Sequence, residues 1–147
     1  MGNKCDILEI ENSVINAIRD ATYDPEAEIN LSDSLINDLG VDSLEMQVVF
    51  SQLSCEYKGM APLKNVLENI KDAIDSVDSY DGNYCRKVLE NITNTAGLTF
   101  SKEDADDLQR RDLINVNKNL LVRYITEYIT VKSLTDCISF LRGGRDG

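Results

Sequence analysis

The sequence predicts an all-α bundle. Apolar residues recur at spacings of three and four along most of the chain, and no stretch alternates as a strand would. Gly, Pro, Asn, Asp and Ser gather at the breaks between the periodic segments. The 147 residues, 42% hydrophobic and 28% charged, suffice for one domain with a real core. A single domain over 1–147 is expected.

Residues 5–22 read as an amphipathic helix with Ile7, Leu8, Val14, Ile15, Ile18 and Ala21 on its apolar stripe. Residues 23–40 form a polar connection punctuated by Pro25, Asn30, Ser32, Asp33 and Gly40, with Leu31, Leu35, Ile36 and Leu39 as anchors to the core. A connection of that length is unusual in a helical bundle and points to function or to a topological need. The next helix starts at Ser43 or just before it, because Gly40 permits a sharp turn and Asp42 is a good N-cap. Met46, Val49, Phe50 and Leu53 are its core residues, while Leu44 and Val48 are left partly exposed.

Residues 62–96 read as a helical hairpin. Pro62 opens it, Leu63, Val66, Leu67, Ile70, Ile74 and Val77 line the first arm, Val88, Leu89 and Ile92 line the second, and Gly97 ends it. The break at 78–84, DSYDGNY, fails as a calcium loop: Ser79 and Val77 precede Asp81 at the ligand spacing, and Val88 stands near where the closing glutamate belongs. Ser101 with Asp104 three residues on is a helix-capping pattern. Apolar surface continues through Leu113, Ile114, Val116, Leu120, Leu121, Tyr124, Ile125 and Tyr128. The last helix begins near Thr130, with Val131, Leu134, Cys137, Ile138 and Leu141 on one face, and GGRDG is a frayed tail.

Composition removes several functions. The net charge is −11, and no Lys or Arg occurs between Asp20 and Tyr57. Such a surface repels nucleic acid and anionic membranes and favours partners with basic patches. The chain has no histidine, so neither a Ser–His nucleophile nor a histidine metal site is available, and no glycine-rich phosphate loop occurs. Cys5, Cys55, Cys85 and Cys137 form no CxxC pair. With no signal peptide, they are expected to be buried thiols of a cytoplasmic protein, without metal or disulfide. No apolar run approaches membrane-spanning length. The opening MGNKCD departs from the myristoylation pattern at Asp6. No catalytic residue is assigned, so a serine that matters must be acted on by another enzyme.

That serine stands in SDSLINDLGVDSLEM, residues 32–46. The stretch resembles the carrier-site motif of acyl carrier proteins, matching at Asp33, Leu35, Asp38, Leu39, Gly40, Asp42, Ser43 and Leu44. The resemblance implies that Ser43 receives a 4′-phosphopantetheine arm from coenzyme A through a phosphopantetheinyl transferase, and that acyl groups ride on the arm as thioesters, sheltered between helices. It implies that Asp42 helps hold the divalent ion in the transferase complex. Leu44, Glu45 and Val48 would lie on the face touched by acyl-loading and acyl-transfer enzymes of fatty-acid, lipid or polyketide-type biosynthesis. Val48 departs from the family, which usually carries an acidic residue there.

The resemblance extends to residues 6–22 as the first helix, 98–108 as the short third and 129–141 as the last. The expected architecture is therefore an acyl-carrier-like four-helix bundle, monomeric, with a helical insertion at about 55–97. A non-catalytic helical interaction module without a prosthetic group is the alternative reading.

Overall fold

The computed structural model describes residues 3–57, 66–77, 83–111 and 116–143, without the side chains of 3–6, 43 and 141–143. Among the described residues there are seven helices: α1 (Asn3–Thr22), α2 (Ser43–Glu56), α3 (Val66–Asp75), α4 (Tyr84–Ala96), α5 (Lys102–Arg110), α6 (Lys118–Thr126) and α7 (Val131–Gly143). The only β pairing among them is an isolated bridge between Ser34 and Thr130. The chain is all-α, as the sequence predicts. Pro62, Leu63, the 78–82 part of the break, Leu113, Ile114, the Leu141 and Cys5 side chains and the 144–147 tail lie outside the described residues.

The buried stripe of α1 is Ile10, Val14, Ala17, Ile18 and Ala21. Ile7 and Leu8 are exposed, which corrects the stripe read from the sequence. The cause is length. Ser13 meets the far end of α2, donating to Glu56 (2.6 Å) and accepting from the Tyr57 hydroxyl (3.0 Å). The turns of α1 before Ile10 therefore project past that helix and have less to pack against. At the other end, Gln52 donates to Asp20 (3.1 Å), so α1 and α2 run antiparallel. α1 stops at Tyr23, a left-handed residue (φ 57°), with the Asp24 N–H returning to the Arg19 carbonyl at 3.0 Å.

α1 packs against α2 and α7; α4 packs against α3, α5 and α7; and α6 lies on α3. One buried cluster runs through both groups, from Val14, Val49 and Leu53 to Ile70, Ile92, Ile125 and Leu134. The hairpin of α3 and α4 thus shares the core instead of standing off it. The short helix α5 packs on α4.

α4 ends at Gly97 in the left-handed region (φ +79°). A Cβ there would lie 2.6 Å from the Phe140 Cβ, so glycine answers both the backbone turn and the approach of α7. Ser101 caps α5 by accepting from the Asp104 N–H (3.0 Å), and Asn117 caps α6 in the same way. Cys85 and Cys137 are buried, and burial pushes the Cys137 thiol up to about 12. Cys55 is exposed, against the expectation of burial, because it falls on the outer side of α2, in line with exposed Val48 and opposite core residue Leu53.

Candidate functional site

The connection between α1 and α2 is ordered by its own carboxylates. Asp33 accepts the Asn30 N–H (2.8 Å), and Asp38 accepts the Ser34 N–H (2.7 Å). Short aspartates suit this work because their carboxyl reaches a backbone donor three or four residues away. Leu35 and Val41 are fully buried and tied together by a Val41 N–H to Leu35 carbonyl bond of 2.8 Å. Ile36 and Leu39 pack partly buried against the core, whereas the predicted anchor Leu31 is exposed.

Gly40 adopts φ +69°, and a Cβ on it would meet nothing within 4 Å. Its requirement is the backbone angle alone, which turns the chain out of the loop toward the start of α2.

α2 begins with a complete capping box. Asp42 accepts the Glu45 N–H (2.8 Å), and the Glu45 carboxylate accepts the Asp42 N–H (3.0 Å). Ser43 is therefore the first helical residue. Its side chain lies outside the described atoms, so its predicted outward projection does too. A helix start has four backbone donors without intrahelical acceptors. The box takes those of Asp42 and Glu45 and leaves those of Ser43 and Leu44. These point along the positive end of the helix dipole, an environment that suits a phosphodiester.

Around this point Asp42 is exposed, Glu45 is half-buried and already engaged in the box, and Leu44 and Val48 are 74% and 49% exposed. Leu44 and Val48 lie one turn apart on the same side of α2. Met46, Val49, Phe50 and Leu53 fill the opposite, buried side. The open space at Gly40 and the remaining donors at the head of α2 fit a phosphopantetheine arm.

Ser34, the serine of the D-S-L that opens the carrier motif, has no role assigned from the sequence. Its hydroxyl donates to the Glu127 carbonyl (2.7 Å) and accepts the Asn37 N–H (3.1 Å), and the residue is buried. The available signal was a small polar residue directly before the buried anchor Leu35. Beside the loop lies a cleft of about 490 Å³ whose lining includes Ser32, Phe100, Asp104, Lys132 and Asp136. A second, of about 600 Å³, runs between α4 and α5 past Arg86, Phe100 and Asp106. Charged side chains occur in the lining of both. No group of acidic or thiol side chains able to hold a metal ion occurs among the described residues.

No helix among the described residues is long and apolar enough to cross a membrane. Residues 12–72, from α1 into α3, match the family model described as phosphopantetheine attachment site. No curated protein and no solved structure gives a match. The matched segment contains the whole loop and all of α2. The loop and α2 thus lie within a phosphopantetheine attachment-site segment, similar to acyl-carrier domains, which receive a 4′-phosphopantetheine group from a phosphopantetheinyl transferase and serve other enzymes without being catalysts themselves.

Proposed function

We propose that Ser43 is the residue that bears the phosphopantetheine arm, and that the protein carries acyl groups for fatty-acid, lipid or polyketide-type biosynthesis. The observation that supports Ser43 is its backbone position, first in α2 behind a closed capping box. The backbone N–H groups of Ser43 and Leu44 would hold the phosphodiester. When bound, the arm supplies a terminal thiol for acyl groups.

Asp42 has two roles in this reading. Its Oδ1 is occupied in capping the Glu45 N–H, while its exposed carboxylate is available to a divalent ion in the transferase complex. Leu44 and Val48 form the apolar part of the docking face, and Glu45 sits at its edge. The carboxylates between Asp20 and Tyr57 have no Lys or Arg within the segment to neutralise them. They would speed encounter with basic partner enzymes, an effect that salt weakens.

We further propose one cytoplasmic, monomeric domain over 1–147, with the helical insertion at about 55–97 embellishing a carrier core. Deleting residues 62–96 is expected to change which enzymes bind; unchanged partner choice would make the insertion purely structural.

The decisive experiment is intact-mass measurement after incubation with coenzyme A, magnesium and a broad-specificity transferase. One phosphopantetheinyl group is expected on the wild type and none on Ser43→Ala, with the unfolding midpoint preserved. Loading that persists in Ser43→Ala would move the attachment elsewhere.

A further inference from the structure

We infer that Ser34 is a positioning residue for modification: it latches the attachment loop to the corner between α6 and α7. The inference rests on the reading of Ser43 above and gives a role to Ser34, the serine of the D-S-L that opens the carrier motif.

The latch is a continuous set of hydrogen bonds. On the corner side, the Ser34 hydroxyl donates to the Glu127 carbonyl at 2.7 Å. The Leu35 N–H donates to the Ile129 carbonyl (3.1 Å), and the Val131 and Lys132 N–H groups return to the Asp33 and Leu31 carbonyls (3.1 and 2.9 Å). On the loop side, the same hydroxyl accepts the Asn37 N–H, and the Ser34 carbonyl accepts the N–H groups of Asp38 and Leu39 (3.0 and 3.1 Å). Val41 then bonds back to Leu35, and the next residue is Asp42, the cap of the helix that Ser43 opens.

The corner is itself braced. The Tyr128 hydroxyl donates to Asp107 on α5 at 2.5 Å. The Arg111 guanidinium lies over the Tyr124 and Tyr128 rings and pairs with Glu127 at 3.7 Å. The position of the attachment loop is therefore set by residues more than ninety places further along the chain, through a hydroxyl with 8% of its residue exposed.

Removing that hydroxyl takes one partner from the Glu127 carbonyl and one from the Asn37 N–H, both part-buried bonds. The rest of the ladder is backbone and survives. The physical expectation is a loop that leaves its seated position part of the time, while the helices stay folded. A transferase that recognises the seated loop would then meet a smaller competent population. That raises apparent KM for the carrier in proportion and leaves kcat in place.

The test compares wild type, Ser34→Ala and Ser34→Thr, the last of which keeps the hydroxyl. Transfer kinetics are run with coenzyme A and the transferase, and amide hydrogen exchange is followed on the unmodified proteins. Ser34→Ala is expected to raise KM about tenfold with kcat within about twofold, and Ser34→Thr to restore most of the loss. Exchange in Ser34→Ala should accelerate at residues 34–41 and stay unchanged in α1. Unchanged KM overturns the inference. So does loss of protection in α1 together with the loop, because Ser34 would then hold the whole fold and not the loop. A wild type that gains no arm at Ser43 sinks the attachment reading instead, and the exchange comparison still decides whether the latch exists.

Discussion

From Asp33 to Glu45 the carboxylates serve the backbone, whereas beyond Val66 several pair with cations. Asp33, Asp38, Asp42 and Glu45 each accept a backbone N–H. In the later part, Glu68 pairs with Lys71, Asp75 with Lys118, Asp106 with Arg86, Asp107 with Arg110 and Asp136 with Lys132. The difference has a physical consequence. A carboxylate capped by an N–H keeps its full negative charge toward solvent, so the attachment region stays strongly acidic while remaining ordered. The later region neutralises most of its own charge. Exposed pairs of that kind add little stability each, so their main effect is to confine the acidic field to the loop and α2.

The sharpest way to break this comparison is to make one substitution in both regions. Gly40 and Gly97 both have positive φ, yet only Gly97 is also crowded. Gly40→Ala should cost about 1 kcal/mol, the strain of a left-handed alanine. Gly97→Ala should cost roughly 2–4 kcal/mol, because overpacking adds to that strain. The obstructing atom is the Phe140 Cβ, fixed to the α7 backbone, so no rotamer change relieves it. Denaturant unfolding of both variants gives the difference; equal losses would mean that α7 shifts freely at that contact.

Next in size is the brace of the later region. The hydrogen bond from Tyr128 holds the Asp107 carboxyl below its ordinary value, and burial, then that same bond, holds the Tyr128 hydroxyl above its own. A depressed carboxyl contributes stability that is present above its unfolded value of 3.8 and is lost as pH falls through the folded value. A raised phenol contributes stability that is present below 10.0 and is lost as pH rises beyond it. Tyr128→Phe should therefore unfold at lower denaturant than wild type on a plateau between those limits, with the gap closing at both ends. A gap that ignores pH would assign the loss to packing alone.

Local chemistry made much of this legible in advance. Asp42 before Ser43, Ser101 before Asp104 and Gly97 after Ala96 are capping signals whose partners lie within a few residues, and each is found in place. The core of α2 was readable from its 3.6-residue period. The failures share a cause. Ile7 and Leu8 depend on how far α2 reaches, and Ser34 on a carbonyl far along the chain. Those are tertiary facts, and no periodicity encodes them. The carrier motif was visible because a fixed loop geometry demands aspartate, glycine and leucine at set spacings.

The smallest predicted effect lies at the seam between the two regions. Asp104, near the start of α5, has its carboxyl raised above the ordinary value, first by burial and then by the negative charges of Asp107, Glu103 and Asp38. Asp38 belongs to the attachment loop, so the seam brings two like charges together. A raised carboxyl means that the folded state binds the proton more tightly than the unfolded state. Wild-type stability at this site therefore improves as pH falls toward 3.8. Asp104→Asn removes the charge, and should stabilise the protein at neutral pH by less than about 1 kcal/mol, since the group is largely solvated. The gain should shrink as pH falls, because the wild-type carboxyl then neutralises itself. Repeating the measurement in Asp38→Asn isolates the part that crosses the seam: a smaller gain there would mean that the acidic loop and the later helices feel each other's charge, and an identical gain would mean that the two regions are electrostatically independent.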